Sequence, residues 1–168
     1  LTGEKHAEFS IASTTQLMDA YTGKWSKEVL EALGIPERIL PEIIPCGTKA
    51  GKVTKAIREE LGLEGDIDVI AVAGHDTQSA MVSVPTQEKD FIFMSCGTWS
   101  LFGTELDKPL INETSSRLDI TNESGYGGRI SFLKNILGLW MIQESRRQWI
   151  REGREYSFGE LEKMAGEA

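Results

Sequence analysis

The chain has 168 residues, a formal net charge of −8, 40% hydrophobic and 26% charged residues, the composition of a folded chain of one domain or two small ones rather than a disordered one. The acidic balance excludes a nucleic-acid surface, which needs clustered Lys and Arg to displace counterions. No apolar run approaches the roughly 20 residues that cross a bilayer, so no membrane partner is expected.

In chain order, residues 11 to 34 read as a short helix, a turn at Thr22-Gly23-Lys24, and a second helix with Ser26 as N-cap and Gly34 as stop. Pro36, Pro41 and Pro45 make the next stretch irregular and extended. "GKVTKAIREELG" reads as an amphipathic helix, with Val53, Ile57 and Leu61 on one face and Gly62 ending it. A buried strand is expected over 67–73, then a helix over 77–84 stopped by Pro85. The polar connector "QEKD" (87–90) is the expected domain boundary, dividing the chain into 1–85 and 86–168. "DFIFMS" and "WSLFGTEL" read as two strands joined through "CGT". Residues 106–127 read as loop and "GGRISFL" as a short strand. A long helix is expected over 134–152, its "ILGLWMI" half deeply buried and Gly138 allowing close backbone approach. The last residues read as a helix. The pattern is mixed α/β.

Only two cysteines, Cys46 and Cys96, occur, with no C-x-x-C. A zinc site or disulfide framework is therefore not expected, and two unpaired thiols fit a reducing, cytoplasmic compartment. The chain starts at Leu1 without a basic-then-apolar signal segment, and reads as processed or as a piece of a longer protein. With only His6 and His75, a multi-histidine metal hydrolase is excluded. The G-x-S-x-G elbow, the P-loop signature and a G-x-G-x-x-G before a helix are all absent.

Two stretches carry chemistry. In "VIAVAGHDTQSA" (69–80), His75 and Asp76 stand where a strand meets a helix. Asp76 reads either as an N-cap or as a carboxylate at the ligand-binding end of a strand, able to take a proton from a hydroxyl. His75 reads as a hydrogen-bonded core residue or as a ligand-facing donor and acceptor. Gly74 removes bulk where a ligand would approach. In "SCGTWSLFG" (95–103), Gly97 and Thr98 form either a plain hairpin turn or a phosphate cradle, in which the Gly97 amide and Thr98 hydroxyl meet an anion. Trp99 reads as a packing residue.

"GHDTQSA", "SCGTWSLFG", "TNESG" and "FLKNILGLW", in that order, resemble the FGGY carbohydrate kinases. "GTWS" and "LKNILGLWMIQE" are most similar to the rhamnulokinase branch, and "ASTTQLMDAYTGKWSKEVLEALGIP" and "LPEIIPCGT" also fit. The resemblance implies a fragment of the two-domain actin/hexokinase-like (ribonuclease H-like) fold, covering the end of a sugar-binding domain and the start of a nucleotide-binding domain. The family's N-terminal phosphate loop and C-terminal adenosine motif are expected outside this stretch.

It implies ATP and Mg²⁺ as cofactors and a ketose as substrate, L-rhamnulose first, with L-fuculose or xylulose as alternatives. A non-catalytic sugar-binding module of the same fold is a further alternative. Carried over by motif, Asp76 is the general base, and His75, Gly74 and Gln78 line the sugar site. Gly97 and Thr98 contact the β- and γ-phosphates. Gln78 and Gly74 depart from the usual Ala and Ser of the branch. Asn122 and Glu123 receive no chemical role and read as solvated loop.

Overall fold

The computed structural model describes all 168 residues. In the first half, β1 (His6–Glu8) leads directly into α1 (Phe9–Ser13), followed by a small hairpin of β2 (Met18–Asp19) and β3 (Lys24–Trp25). Helix α2 (Lys27–Leu33) begins at Ser26, whose hydroxyl accepts the Val29 amide, and ends at Gly34 with φ 66°, as the spacing predicts. Strand β4 (Glu42–Ile44) lies in the proline-rich stretch and pairs in parallel with β1. β5 (Lys49–Lys52), α3 (Lys55–Leu61), β6 (Asp68–Ile70) and α4 (Asp76–Val82) complete this half. Gly62, at φ 65°, ends α3. That helix is shorter than the sequence predicts because Gly51 and Lys52 are drawn into β5, which pairs antiparallel with β6.

The expected strand over 67–73 is reduced to the three residues of β6. It is not buried: Ile70 is 51% and Val72 67% exposed. Its only strand partner is β5, so the β-branched run has pairing on one edge.

The second half is built on a four-stranded antiparallel sheet in the order β7-β8-β10-β9. Its strands are β7 (Phe93–Cys96), β8 (Trp99–Leu106), β9 (Ile120–Ser124) and β10 (Ile130–Leu137), with α5 (Glu113–Arg117) between β8 and β9. The stretch 106–127, expected as loop, thus supplies an edge strand. The expected helix over 134–152 is corrected too. β10 continues to Leu137, paired through to Trp99, and α6 (Trp140–Arg151) starts only after Gly138-Leu139. The cross-strand ladder overrides the helical look of the apolar run. Nor is that run deeply buried, since Leu139 is 54% and Met141 56% exposed. Helix α7 (Phe158–Gly166) closes the chain behind a Ser157–Glu160 capping box.

The core forms where the halves meet. Met81 of α4 packs against Phe93 of β7 and Leu133 of β10, with Phe91 and Leu101 beside them. Gly103 makes this possible. It sits in β8 opposite both Phe93 and Leu133, and a Cβ there would stand 2.6 Å from Leu133 Cβ. The same seam holds a buried polar bond, Ser131 Oγ to Gln78 Oε1 at 2.8 Å.

Candidate functional site

The corner at 73–76 is held by α1. One oxygen of Glu8, Oε2, accepts from the Ser10 amide (3.0 Å), the Ser10 hydroxyl (2.5 Å) and the Gly74 amide (2.8 Å). The Ser10 hydroxyl in turn accepts the His75 amide at 3.1 Å. Ser79 Oγ donates to the Ala73 carbonyl at 2.6 Å, fixing α4 to the incoming chain. Three short polar side chains therefore satisfy main-chain groups that the truncated strand leaves free.

This placement bears on the N-cap reading of Asp76. The N-cap of α4 is His75, and Asp76 is the first helical residue. Asp76 Oδ1 accepts only its neighbour's groups, the Thr77 amide at 2.6 Å and hydroxyl at 3.4 Å. It does not reach the amides further into the helix, as a cap would. Its side chain is 97% exposed. His75 is 20% exposed, with Nε2 3.7 Å from Asp76 Oδ1 and Nδ1 3.3 Å from Glu123 Oε2.

His75 and Asp76 form one wall of a cleft of about 410 Å³. The other wall is the β7–β8 bend with Gly97, Thr98 and Trp99, and Glu123 and Asn135 complete it. The two motifs singled out from the sequence therefore share one cavity. The bend differs from expectation in detail. The Gly97 amide is turned inward, donating to the Trp99 carbonyl at 2.9 Å, so it is not free for an anion, whereas the Thr98 amide makes no main-chain bond. Trp99, expected to be packed, is 61% exposed.

Gly138 acts as its sequence context predicts. A Cβ there would lie 2.8 Å from the Ser100 amide nitrogen. Without one, the junction of β10 and α6 rests on the bend. The Leu139 amide donates to the Gly97 carbonyl at 2.9 Å and the Trp140 amide to the Thr98 carbonyl at 3.1 Å.

Two residues expected at the sugar site, Gln78 and Gly74, do not line this cleft. Gln78 is 1% exposed and bonds to Ser131 in the seam, because its helical position points it away from Asp76. Gly74 faces Glu8 and Ile11, which a Cβ would meet at 3.2 and 3.4 Å. Conversely, Glu123 and Asn122 are not solvated loop. Glu123 sits on β9 with a side chain 19% exposed. Asn122 brackets Leu110, accepting its amide at 2.8 Å and donating to its carbonyl at 3.2 Å. Glu8 and Ser10 were likewise missed. The one available signal was Glu8 followed by Ser10 ahead of the α1 turn, a weak capping pattern.

No Lys or Arg lines the cleft, and no three His, Cys, Asp or Glu side chains are grouped to hold a metal ion. Cys46 and Cys96 are both free. No helix is long and apolar enough to cross a membrane.

Comparison with known proteins sets this geometry in a family. Residues 1–83 match the N-terminal domain, and residues 92–168 the C-terminal domain, of the FGGY family of carbohydrate kinases. A rhamnulokinase of Bacteroides thetaiotaomicron is 44% identical over 149 residues, 89% of this chain and 30% of its own length. One of Halalkalibacterium halodurans is 43% identical over 165 residues, 98% of this chain and 34% of its own. The chain thus spans about a third of the length of these curated relatives.

Among solved structures, a xylulose kinase from Rhodospirillum rubrum superposes with a TM-score of 0.76 at 17% identity, covering 100% of this chain and 34% of its own. A structure described as a xyloylose kinase from Brucella ovis gives 0.74 at 20% identity, covering 89% and 30%. These neighbours share the actin/hexokinase-like fold, of which this chain holds the part where the two domains join. With both of its domains matched in order along nearly the whole sequence, the chain belongs to the FGGY family of carbohydrate kinases.

Proposed function

We propose that the full-length protein containing this segment transfers the γ-phosphoryl group of ATP to the primary hydroxyl of a ketose, with Asp76 as general base. The substrate we propose is L-rhamnulose, giving L-rhamnulose 1-phosphate, because the sequence relatives at 36–44% identity bear the name rhamnulokinase. The observation that carries the reading is the exposed Asp76 carboxylate, facing the same cleft as the Gly97-Thr98 bend. In this reading residues 1–85 belong to the sugar-binding domain and residues 86–168 to the nucleotide-binding domain.

The chemistry follows from what each group offers. The sugar hydroxyl gives its proton to Asp76 as its oxygen bonds to phosphorus and the β–γ bridging bond breaks to release ADP. A carboxylate is a weak base, and that suffices, because the loose transition state places little charge on the attacking oxygen. Positioning then supplies most of the rate. His75 holds the sugar, and the Thr98 amide and hydroxyl meet phosphate oxygens. No three His, Cys, Asp or Glu side chains of this segment are grouped to hold a metal ion by themselves; magnesium would enter bridging the phosphates of ATP, with part of its shell from outside this segment. With no Lys or Arg in the cleft lining, neutralisation of the phosphates falls to that ion and to parts of the protein outside this segment.

The test is steady-state phosphorylation by the full-length protein across L-rhamnulose, L-fuculose and xylulose. L-Rhamnulose is expected to give the highest kcat/KM, and Asp76→Asn to lower kcat by at least about 10²-fold, as loss of a general base does, with little change in ATP affinity. Near-normal turnover in Asp76→Asn would remove Asp76 from the chemistry. No turnover of any ketose would leave a sugar-binding module in place of a kinase. The isolated 168-residue chain is expected to show no ATP turnover.

A further inference from the structure

The proposed reaction uses His75 but leaves Glu123 without a role, although the two are in contact. Glu123 comes from β9, far along the chain, and its Oε2 lies 3.3 Å from His75 Nδ1. Both atoms are sealed from solvent, and neither makes a hydrogen bond to any other group. Placing a carboxylate oxygen and a ring nitrogen together, buried and otherwise unpartnered, is costly unless a proton lies between them. The approach is held from both sides. The Ser10 hydroxyl takes the His75 amide, and the Ser13 hydroxyl takes the Ser124 amide at 3.1 Å, next to Glu123. One short helix, α1, thus fixes the backbone behind each partner.

We propose that Glu123 is a positioning residue that keeps the proton of neutral His75 on Nδ1, so that Nε2 meets the sugar as a hydrogen-bond acceptor. The inference rests on the kinase reading for the identity of the ligand, but not for the tautomer. In neutral imidazole one nitrogen donates and the other accepts, and the partner of one decides the role of the other. With Nδ1–H directed at Glu123, the Nε2 lone pair faces the cleft beside Asp76. A hydroxyl that donates to Nε2 is thereby selected, and a sugar lacking that hydroxyl leaves a lone pair unmatched. Glu123 itself does not touch the reacting atoms. At 3.3 Å the two atoms are within reach of a hydrogen bond that a proton on Nδ1 would make.

The experiment uses the full-length protein with ¹⁵N-labelled histidine, the His75 signals being assigned by their loss in His75→Gln. On the alkaline side of neutrality the native ring is expected to show a protonated Nδ1 and an unprotonated Nε2. Glu123→Ala is expected to lose that preference and to raise the KM for ketose by about tenfold, the equivalent of one lost hydrogen bond to the sugar. ATP KM is expected to stay within about twofold and kcat to fall less than ketose affinity does. Glu123→Gln keeps the shape and an accepting oxygen, and is expected to restore both tautomer and ketose KM to near the native values.

An Nε2-protonated native ring, or a tautomer unmoved by Glu123→Ala, would overturn the proposal, as would Glu123→Gln proving as impaired as Glu123→Ala. Full turnover in Asp76→Asn would instead defeat the kinase reading while leaving the tautomer measurement standing.

Discussion

The two halves of the chain differ in how they become ordered. The second half carries eight-residue strands in a four-stranded sheet, with each of β8 and β10 flanked on both edges. The first half has three separate two-stranded pairs, none with a strand longer than four residues. An isolated pair of short strands is marginal in water. The first half is therefore ordered through what it leans on. Met81 and Gln78 of α4 are buried against the second half, and α1 bonds to β9 through Ser13. The lesson is that the candidate site lies where the weaker half is fastened to the stronger one, so site geometry and inter-half packing are coupled.

That coupling can be broken most severely at Leu133, which is 1% exposed and touches elements of both halves. Leu133→Ala is expected to cost about 2–5 kcal/mol, the range for emptying a packed core site, and to bring the unfolding of the two halves to different denaturant concentrations. Coincident transitions followed by amide exchange in each half would show that the seam is not what orders the first half.

Asp76→Asn is the opposite kind of change. The roughly 10²-fold fall in kcat expected for a lost general base comes with little shift in thermal midpoint, because the exposed carboxylate bonds only to Thr77 and lies 3.7 Å from His75 Nε2. A large loss of stability would mean that it serves the fold.

Ser10→Ala removes the acceptor of the His75 amide and should cost about 1–3 kcal/mol, as expected when a buried donor is left unsatisfied. Ketose KM should rise with it in the full-length protein, while ATP KM stays put. An unchanged ketose KM would show that the corner does not need its pin.

The smallest effect is expected at the rim of the β5–β6 pair. A hydrogen bond and ion pair with Lys52 holds the Asp66 carboxyl below its usual range, and the bond to Asp66 holds the Lys52 ammonium above its own. The Asp66 contribution is complete above the ordinary carboxylate range and fades as pH falls through its lowered value. The Lys52 contribution is complete below the ordinary ammonium range and fades as pH rises through its raised value. Lys52→Met should therefore lower the thermal midpoint slightly at mid-range pH, as surface pairs do, and converge with the native chain at both extremes. A difference constant across pH would exclude the pair as its source.

Much of the site was legible because its groups lie within short runs. His75-Asp76 and Gly97-Thr98 each occupy one corner, so the local sequence alone places each pair. Ser26, Gly34 and Gly62 were legible as helix ends for the same local reason. What could not be read depended on partners distant in sequence. Glu123 stands in "ITNES", whose polar residues hide its strand, and only pairing with β10 makes it one. "LKNIL" is apolar enough for a helix, and its ladder to β8 decides otherwise. Gln78 reads as a neighbour of Asp76, but two residues along a helix turn a side chain away. Its partner Ser131 is 53 residues distant.

The bonds from Leu139 and Trp140 to the carbonyls of Gly97 and Thr98 bear on how an anion would perceive this bend. A peptide turn shows oxygens as readily as hydrogens, and exposed oxygens would push phosphate away. Here two of those oxygens are already occupied by the start of the following helix, so the unbonded Thr98 amide is left with fewer bare oxygens beside it, in the absence of any cationic side chain.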